Sequence, residues 1–207
     1  MFYLIKTPWW LKKLYPSSLT WDMPGNEKVL YLSFDDGPHA TATPFVLDIL
    51  KQFNAKATFF CIGKNVVGQK EVYQHILDEG HKVGNHTFNH LNGWKTSDKE
   101  YIENVMEAAK YIDSKLFRPP YGRISRFKIN LLQSAGYKII MWDVLSGDFD
   151  KDETKERCAA NVLLQSKPGS IIVFHDSEKA FEKMSYALPL ILEKFSGEGF
   201  VFKSISI

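Results

Sequence analysis

A chain of 207 residues with 44% hydrophobic side chains can bury a sizeable core as one domain. Its 26 basic and 24 acidic side chains leave a formal charge of +2, and no basic block is interleaved with aromatics, which argues against nucleic acid as a partner. Cys61 and Cys158 lie far apart and form no metal-type Cys-x-x-Cys pair or disulfide framework, so both read as reduced structural thiols.

Residues 1–28 read as an aromatic and basic extension packed on or beside a domain of residues 29–207. Lys6 and Pro8 interrupt the start before a signal-type apolar core forms, so no secretory signal or membrane span is expected, and the compartment is left open. Residues 1–15, with Trp9, Trp10, Lys12 and Lys13, have a composition that suits a membrane surface, although such a segment more often packs on its own domain.

From Val29 onward, short apolar runs alternate with helical patterns, the mark of successive βα units. Val29–Phe34 is a strand almost without charge, suited to burial on both faces of a parallel sheet, and Gly37-Pro38 ends it. The expected elements are then a helix over 42–53, a strand over 57–62, a helix over 69–79 closed by Gly80, and a short strand over 81–85. A helix over 98–116, capped by Thr96 or Ser97, leads into Phe117-Arg118-Pro119-Pro120-Tyr121-Gly122, where the prolines forbid helix. A helix over 125–135, a strand over 137–142, a helix over 153–165 and a strand over 170–174 follow. The chain closes with a helix over 178–195, kinked at Pro189, and a strand over 200–205. The fold class is α/β: an irregular (β/α) barrel, seven-stranded and partly open, with its site at the carboxyl ends of the strands.

Polar residues collect at those strand ends. Asp35 and Asp36 repel each other unless a cation, a donor or open water compensates, while the bland alternative is an ordinary Asx-type turn before Gly37-Pro38. His86 and His90, four apart, would share one face of a helical turn. With one of the aspartates they make a two-histidine, one-carboxylate metal set that leaves positions open for water. His175-Asp176 ends the last long strand, and His39 borders the first turn, whereas His75 and His81 read as structural.

Taken in order, Ser33-Phe34-Asp35-Asp36-Gly37-Pro38, His86-Thr87-Phe88-Asn89-His90, Arg118-Pro119-Pro120-Tyr121-Gly122, Trp142 to Phe149, and Phe174-His175 resemble the five motifs of the polysaccharide deacetylases, the NodB-type family 4 carbohydrate esterases. The resemblance spans about Val29 to Ile205. It implies a hydrolase that removes acetyl groups from an N-acetylated glycan; the chain is expected to be a monomer. It also implies that Asp36, His86 and His90 bind a divalent ion, most often zinc, with Asp35 as base and His175 as acid. Arg118 would then pair with Asp35 and Asp148 with His175. The Tyr121 N–H would meet the oxyanion, and Pro119, Phe149 and Phe174 would border the substrate.

This chain departs from the family in carrying Leu145 and Phe149 in the fourth motif and Phe174 in the fifth, so the acetyl pocket is expected to be reshaped. Two other functions stay open at this point: an O-acetyl esterase acting on xylan-like glycans, and a catalytically silent glycan-binding domain.

Overall fold

The structure, a computed structural model, describes residues 3–206. Strand β1 (Val29–Asp35) is apolar apart from Tyr31, Ser33 and Asp35, and all of it but Tyr31 is buried, as a strand covered on both faces must be. Strands β2 (Thr58–Cys61), β3 (Lys82–Asn85), β4 (Leu116–Phe117) and β5 (Lys138–Ile139) extend the sheet on one side of it. On the other side stand β7 (Ile171–His175) and then β6 (Val144–Leu145). The order β5-β4-β3-β2-β1-β7-β6 is parallel throughout, and these seven strands curl into an open half-barrel. A short β8 (Val201–Phe202) pairs beside the first two residues of β1.

Helices return the chain after the strands: α2 (Ala42–Gln52), α3 (Gly63–Gly68), α4 (Lys70–Asp78), α5 (Asp98–Ala108), α6 (Arg126–Ser134), α7 (Lys155–Gln165) and α8 (Glu178–Gly197). A single turn, α1 (Trp9–Lys12), precedes them all. Ser97, Ser125 and Thr154 each accept the N–H three residues on, capping α5, α6 and α7. The main core lies between α2, α8 and the outer face of the sheet, where Phe34 stacks between Phe59 and Phe174. A second cluster gathers Trp21, Tyr101, Phe117 and Ile139.

Several elements differ from the sequence expectation. Helix α5 stops at Ala108 instead of reaching Leu116, and the N–H groups of Lys110 and Tyr111 bond the carbonyls three residues back, closing it in a tight turn. The strand expected over 137–142 is only two residues long, as is the last strand. Strand β6 and helix α3 had no sequence signal long enough to read. Helix α8, with Pro189 inside it, runs on past Phe195 to Gly197.

The segment before β1 is built into the sheet edge. Ile5 and Thr7 bond antiparallel to β6, through Leu145 N–H to Ile5 O at 2.8 Å and Thr7 N–H to Asp143 O at 2.9 Å. Further on, Thr20 bridges Ile140 and Asp22 bridges Ser170. The buried carboxylate of Asp143 binds the Lys6 ammonium at 2.5 Å, that of Lys12 at 3.0 Å and the Ser170 hydroxyl at 2.6 Å. Among the described residues no helix is long and apolar enough to cross a membrane.

Candidate active site

Strand register brings the chemistry together. Asp35 closes β1 and His175 closes β7, and the two are direct register partners. Asn85 and Phe117 end β3 and β4 in register, so the next residues, His86 and Arg118, emerge at the same carboxyl end. Arg118, fully buried, donates to Asp35 Oδ1 at 2.7 Å, Ser33 Oγ at 2.8 Å, Met141 O at 3.0 Å and Ile140 O at 3.3 Å. Its guanidinium lies 4.0 Å from the centre of the Phe60 ring. A buried charge satisfied on every side is tolerable where a lone one is not, and this one fixes the Asp35 carboxylate in place.

Asp36 is the residue after β1 and takes a left-handed φ of 78°, which turns it away from the strand direction of Asp35. His86 and His90 do not share a helical turn, as their spacing suggested. Thr87 and His90 have φ of 64° and 56°, so the segment is a loop, and polar side chains hold it. Asn85 accepts the Thr87 N–H at 2.8 Å, Asn104 accepts those of Phe88 and Asn89 at 2.9 Å each, and Thr87 Oγ accepts that of Leu91 at 3.2 Å.

The loop sets one donor atom from each of Asp36, His86 and His90 within 4.8 Å of one another. His86 Nδ1 is 2.7 Å from the Arg118 carbonyl and must donate to it, leaving Nε2 bare toward Asp36. His90 Nδ1 lies 3.1 Å from the Tyr121 hydroxyl, and its Nε2 lies 3.1 Å from Asp36 Oδ1. Burial lowers His86 to about 4, so it is the neutral imidazole a metal requires. Burial alone would raise the Asp36 carboxyl, but His90, His175 and His86 outweigh it and hold it well below the usual carboxylate range. Asp36 Oδ1 is buried and accepts no hydrogen bond among the described residues, which leaves it for a cation. The residues present therefore fit a divalent metal ion.

Across the site, Asp148 gives one carboxylate oxygen to His175 Nδ1 at 2.8 Å and the other to its backbone N–H at 2.7 Å. Burial lowers His175, yet the Asp148 charge and hydrogen bond prevail and raise it to about 9. With Nδ1 engaged, Nε2 is the nitrogen left to give a proton. Phe149 stands edge-on to this imidazole at 5.2 Å.

Pro119 leads into one 3₁₀ turn, Pro120–Gly122, that the two prolines seemed to forbid; Tyr121 breaks it with φ 61° and is 53% exposed. Gly122, at φ +66°, has the Trp142 ring 2.7 Å from where a Cβ would stand. Phe174 is not brought to the site: it is fully buried in the main core against Phe34. Side chains alternate along β7, so if His175 faces inward Phe174 faces outward, and Val173 shares the histidine's face.

A family model described as polysaccharide deacetylase matches residues 22–140, more than half of the sequence. The chain belongs to the polysaccharide deacetylase family. It is 35% identical over 202 residues to a peptidoglycan-N-acetylglucosamine deacetylase of Bacillus cereus strain ATCC 14579, covering 94% of this chain and 95% of that protein. It is 33% identical over 158 residues to a chitooligosaccharide deacetylase of Azorhizobium caulinodans, covering 73% and 75%. Among solved structures, the Bc1960 peptidoglycan N-acetylglucosamine deacetylase in complex with 4-naphthalen-1-yl-N-oxidanyl-benzamide superposes with a TM-score of 0.88 at 31% identity, over 96% and 95% of the two chains.

This polysaccharide deacetylase also uses residues that sequence reasoning passed over. Asp176 is buried and accepts the Gly37 N–H at 3.0 Å and the Thr43 hydroxyl at 2.5 Å, while its own N–H donates to Asp35 O at 3.1 Å. Burial pushes its carboxyl up to about 8, against the pull of Thr43. Asn65 of α3 donates to the Asp36 carbonyl at 2.7 Å. The first N–H groups of α3, Gly63 and Lys64, bond the Thr87 and Phe88 carbonyls and tie the histidine loop to the aspartate turn. In a bare sequence these look like ordinary turn and cap residues, and only the Asp directly after His175 carried any hint.

Proposed function

We propose that the chain hydrolyses the acetamide of N-acetylglucosamine residues in a peptidoglycan-like or chitin-like glycan. The observation that supports this most is the opposition of two prepared groups at adjacent strand ends: Asp35 paired to Arg118, and His175 paired to Asp148, with the Asp36/His86/His90 group beside them. One carboxylate and two imidazoles suit zinc, which when bound there supplies a Lewis acid toward water and a carbonyl oxygen.

The chain's own groups account for the proton traffic. Asp35 takes a proton from the attacking water, and Arg118 keeps that carboxylate aimed. As the carbonyl carbon becomes tetrahedral its oxygen gains charge, and the backbone N–H of Tyr121 donates to it. His175 passes its Nε2 proton to the amine nitrogen as the C–N bond breaks, giving acetate and a free amine. Pro119 and Phe149 border the acetyl group, whereas Phe174 takes no part. Every group named belongs to one chain, so a monomer suffices, with a catalytic domain of residues 29–207 and an extension of residues 1–28 of which the described part, from residue 3, packs along it. Contact with a membrane surface, if the protein makes it, falls to Trp9 and Trp10, which are 70% and 50% exposed on α1.

Acetate release from N-acetylglucosamine oligomers, peptidoglycan fragments and acetylated xylan by the zinc-loaded protein tests the reading. Release from the first two is expected. Release from acetylated xylan alone would make the chain an esterase. Oligosaccharide binding with no release from any substrate would make it a silent binding domain.

A further inference from the structure

Residues 5–7 run antiparallel to β6, so each step back toward the N-terminus lies one step nearer the carboxyl end of β6, where the site is. Tyr3 thereby arrives level with Gly147: its hydroxyl is 3.4 Å from the place a Cβ would occupy on that residue. The Tyr3 ring lies 5.0 Å from Phe149 at an interplanar angle of 59°, and Phe149 in turn meets His175 at 5.2 Å and 65°.

Phe149 itself is only partly buried, in a turn closed by the Asp150 N–H to Gly147 O bond at 3.0 Å. A phenyl ring in such a place swings toward solvent unless something stands behind it. We infer that Tyr3 is a positioning residue for the deacetylation: it backs Phe149 so that this ring is held against the His175 imidazole and walls the acetyl pocket. The wall is then built from two six-membered rings drawn from distant parts of the sequence. The inference rests on the deacetylase reading for its kinetic consequence, but the ring contacts exist without it.

The test uses Tyr3→Ala and Tyr3→Phe in the full chain, with steady-state kinetics on an N-acetylglucosamine oligomer and ¹H–¹³C spectra of the His175 ring. Tyr3→Ala is expected to lower the melting temperature by only about 2–4 °C and to lower kcat/KM about fivefold, the equilibrium weight of one aromatic pair. It should also move the His175 ring resonances, because the ring current of Phe149 moves with its rotamer. Tyr3→Phe keeps the ring and should retain both the rate and the spectrum. Unchanged kcat/KM and unchanged His175 resonances in Tyr3→Ala would overturn the inference, as would a Tyr3→Phe variant equally impaired on both readouts. A wild-type protein that releases no acetate would sink the proposed function alone, and the His175 spectra would still decide the role of Tyr3.

Discussion

Both oxygens of Asp148 go to His175, one to its ring and one to its backbone, and that commitment sets how the protein should respond to pH. With His175 raised to about 9, the imidazolium is the resting form at neutral pH, and kcat should fall as pH rises through about 9 and the acid loses its proton. The same shift is a stability statement. The folded pKa lies above that of a free imidazole, so the stabilisation is fully present below about pH 6.5 and is lost as pH rises through about 9. Asp148→Asn removes the strongest upward influence and leaves burial opposed only by the weaker charges of Asp36 and Asp35, so the alkaline limb of the kcat profile should move down by roughly 1–3 pH units. A limb that stays in place would show that another group supplies the proton. The two adjacent aspartates should separate just as cleanly. Asp35→Asn should keep zinc by equilibrium titration while losing about 10²–10⁴ in kcat, whereas His86→Ala should lose both. Zinc lost from Asp35→Asn but kept by Asp36→Asn would exchange their roles.

At the scale of elements, the site depends on one turn being bolted to the strand beside it. The carboxylate of Asp176 fills the space where Gly37 would carry a Cβ, with an oxygen 2.0 Å from that position. Gly37→Ala therefore has to push Asp176 off both the turn and Thr43, at an overpacking cost of about 1–3 kcal/mol. Zinc affinity should fall with it, because Asp36 is the preceding residue; calorimetric zinc titration together with a urea melt checks both, and unchanged affinity would show that Asn65 and the Ile62 N–H, which bonds the Gly37 carbonyl at 2.9 Å, hold the turn without Asp176. Strands β1 and β7 were legible because they are long, apolar and end in Asp35 and His175, and side-chain chemistry offered Ser97, with Thr96, as the cap of α5. What escaped was what depends on partners distant in sequence. The His86–His90 spacing is equally compatible with a helical turn and with a loop, and only Asn85 and Asn104, arriving from a strand and a helix, decide for the loop. Phe174 differs for another reason: the resemblance implies that it borders the substrate, whereas period-two alternation from His175 puts it on the far face of β7, in the main core.

For the whole molecule, the segment before β1 decides how the half-barrel is closed. A sheet ending in the two-residue β6 would present a free edge, and residues 5–7 cover it while Thr20 and Asp22 bridge across to Ile140 and Ser170. Nothing in the composition of that segment announces strand pairing, since its aromatics and lysines are as suited to a surface as to an edge. The fastening is Asp143, buried, which gathers Lys6, Lys12 and Ser170 at one point. Burial would raise this carboxyl, but Lys6, Ser170 and Lys12 outweigh it and lower it, so the stabilisation is present above the ordinary carboxylate range and is lost as pH falls through the depressed value. Asp143→Asn keeps the shape and removes the charge that Lys6 and Lys12 share, leaving Lys12 only Asp22. It should cost about 2 kcal/mol, the scale of a charge-assisted hydrogen bond in a part-buried setting. In a chain of this size that corresponds to a drop of roughly 4–8 °C in melting temperature. The variant should also become sensitive to protease within the first twenty or so residues before the rest unfolds, because the arm opens ahead of the sheet. A melting point within a degree of wild type, with no early cleavage, would show that the arm is held by its backbone pairing and Trp21 rather than by this carboxylate.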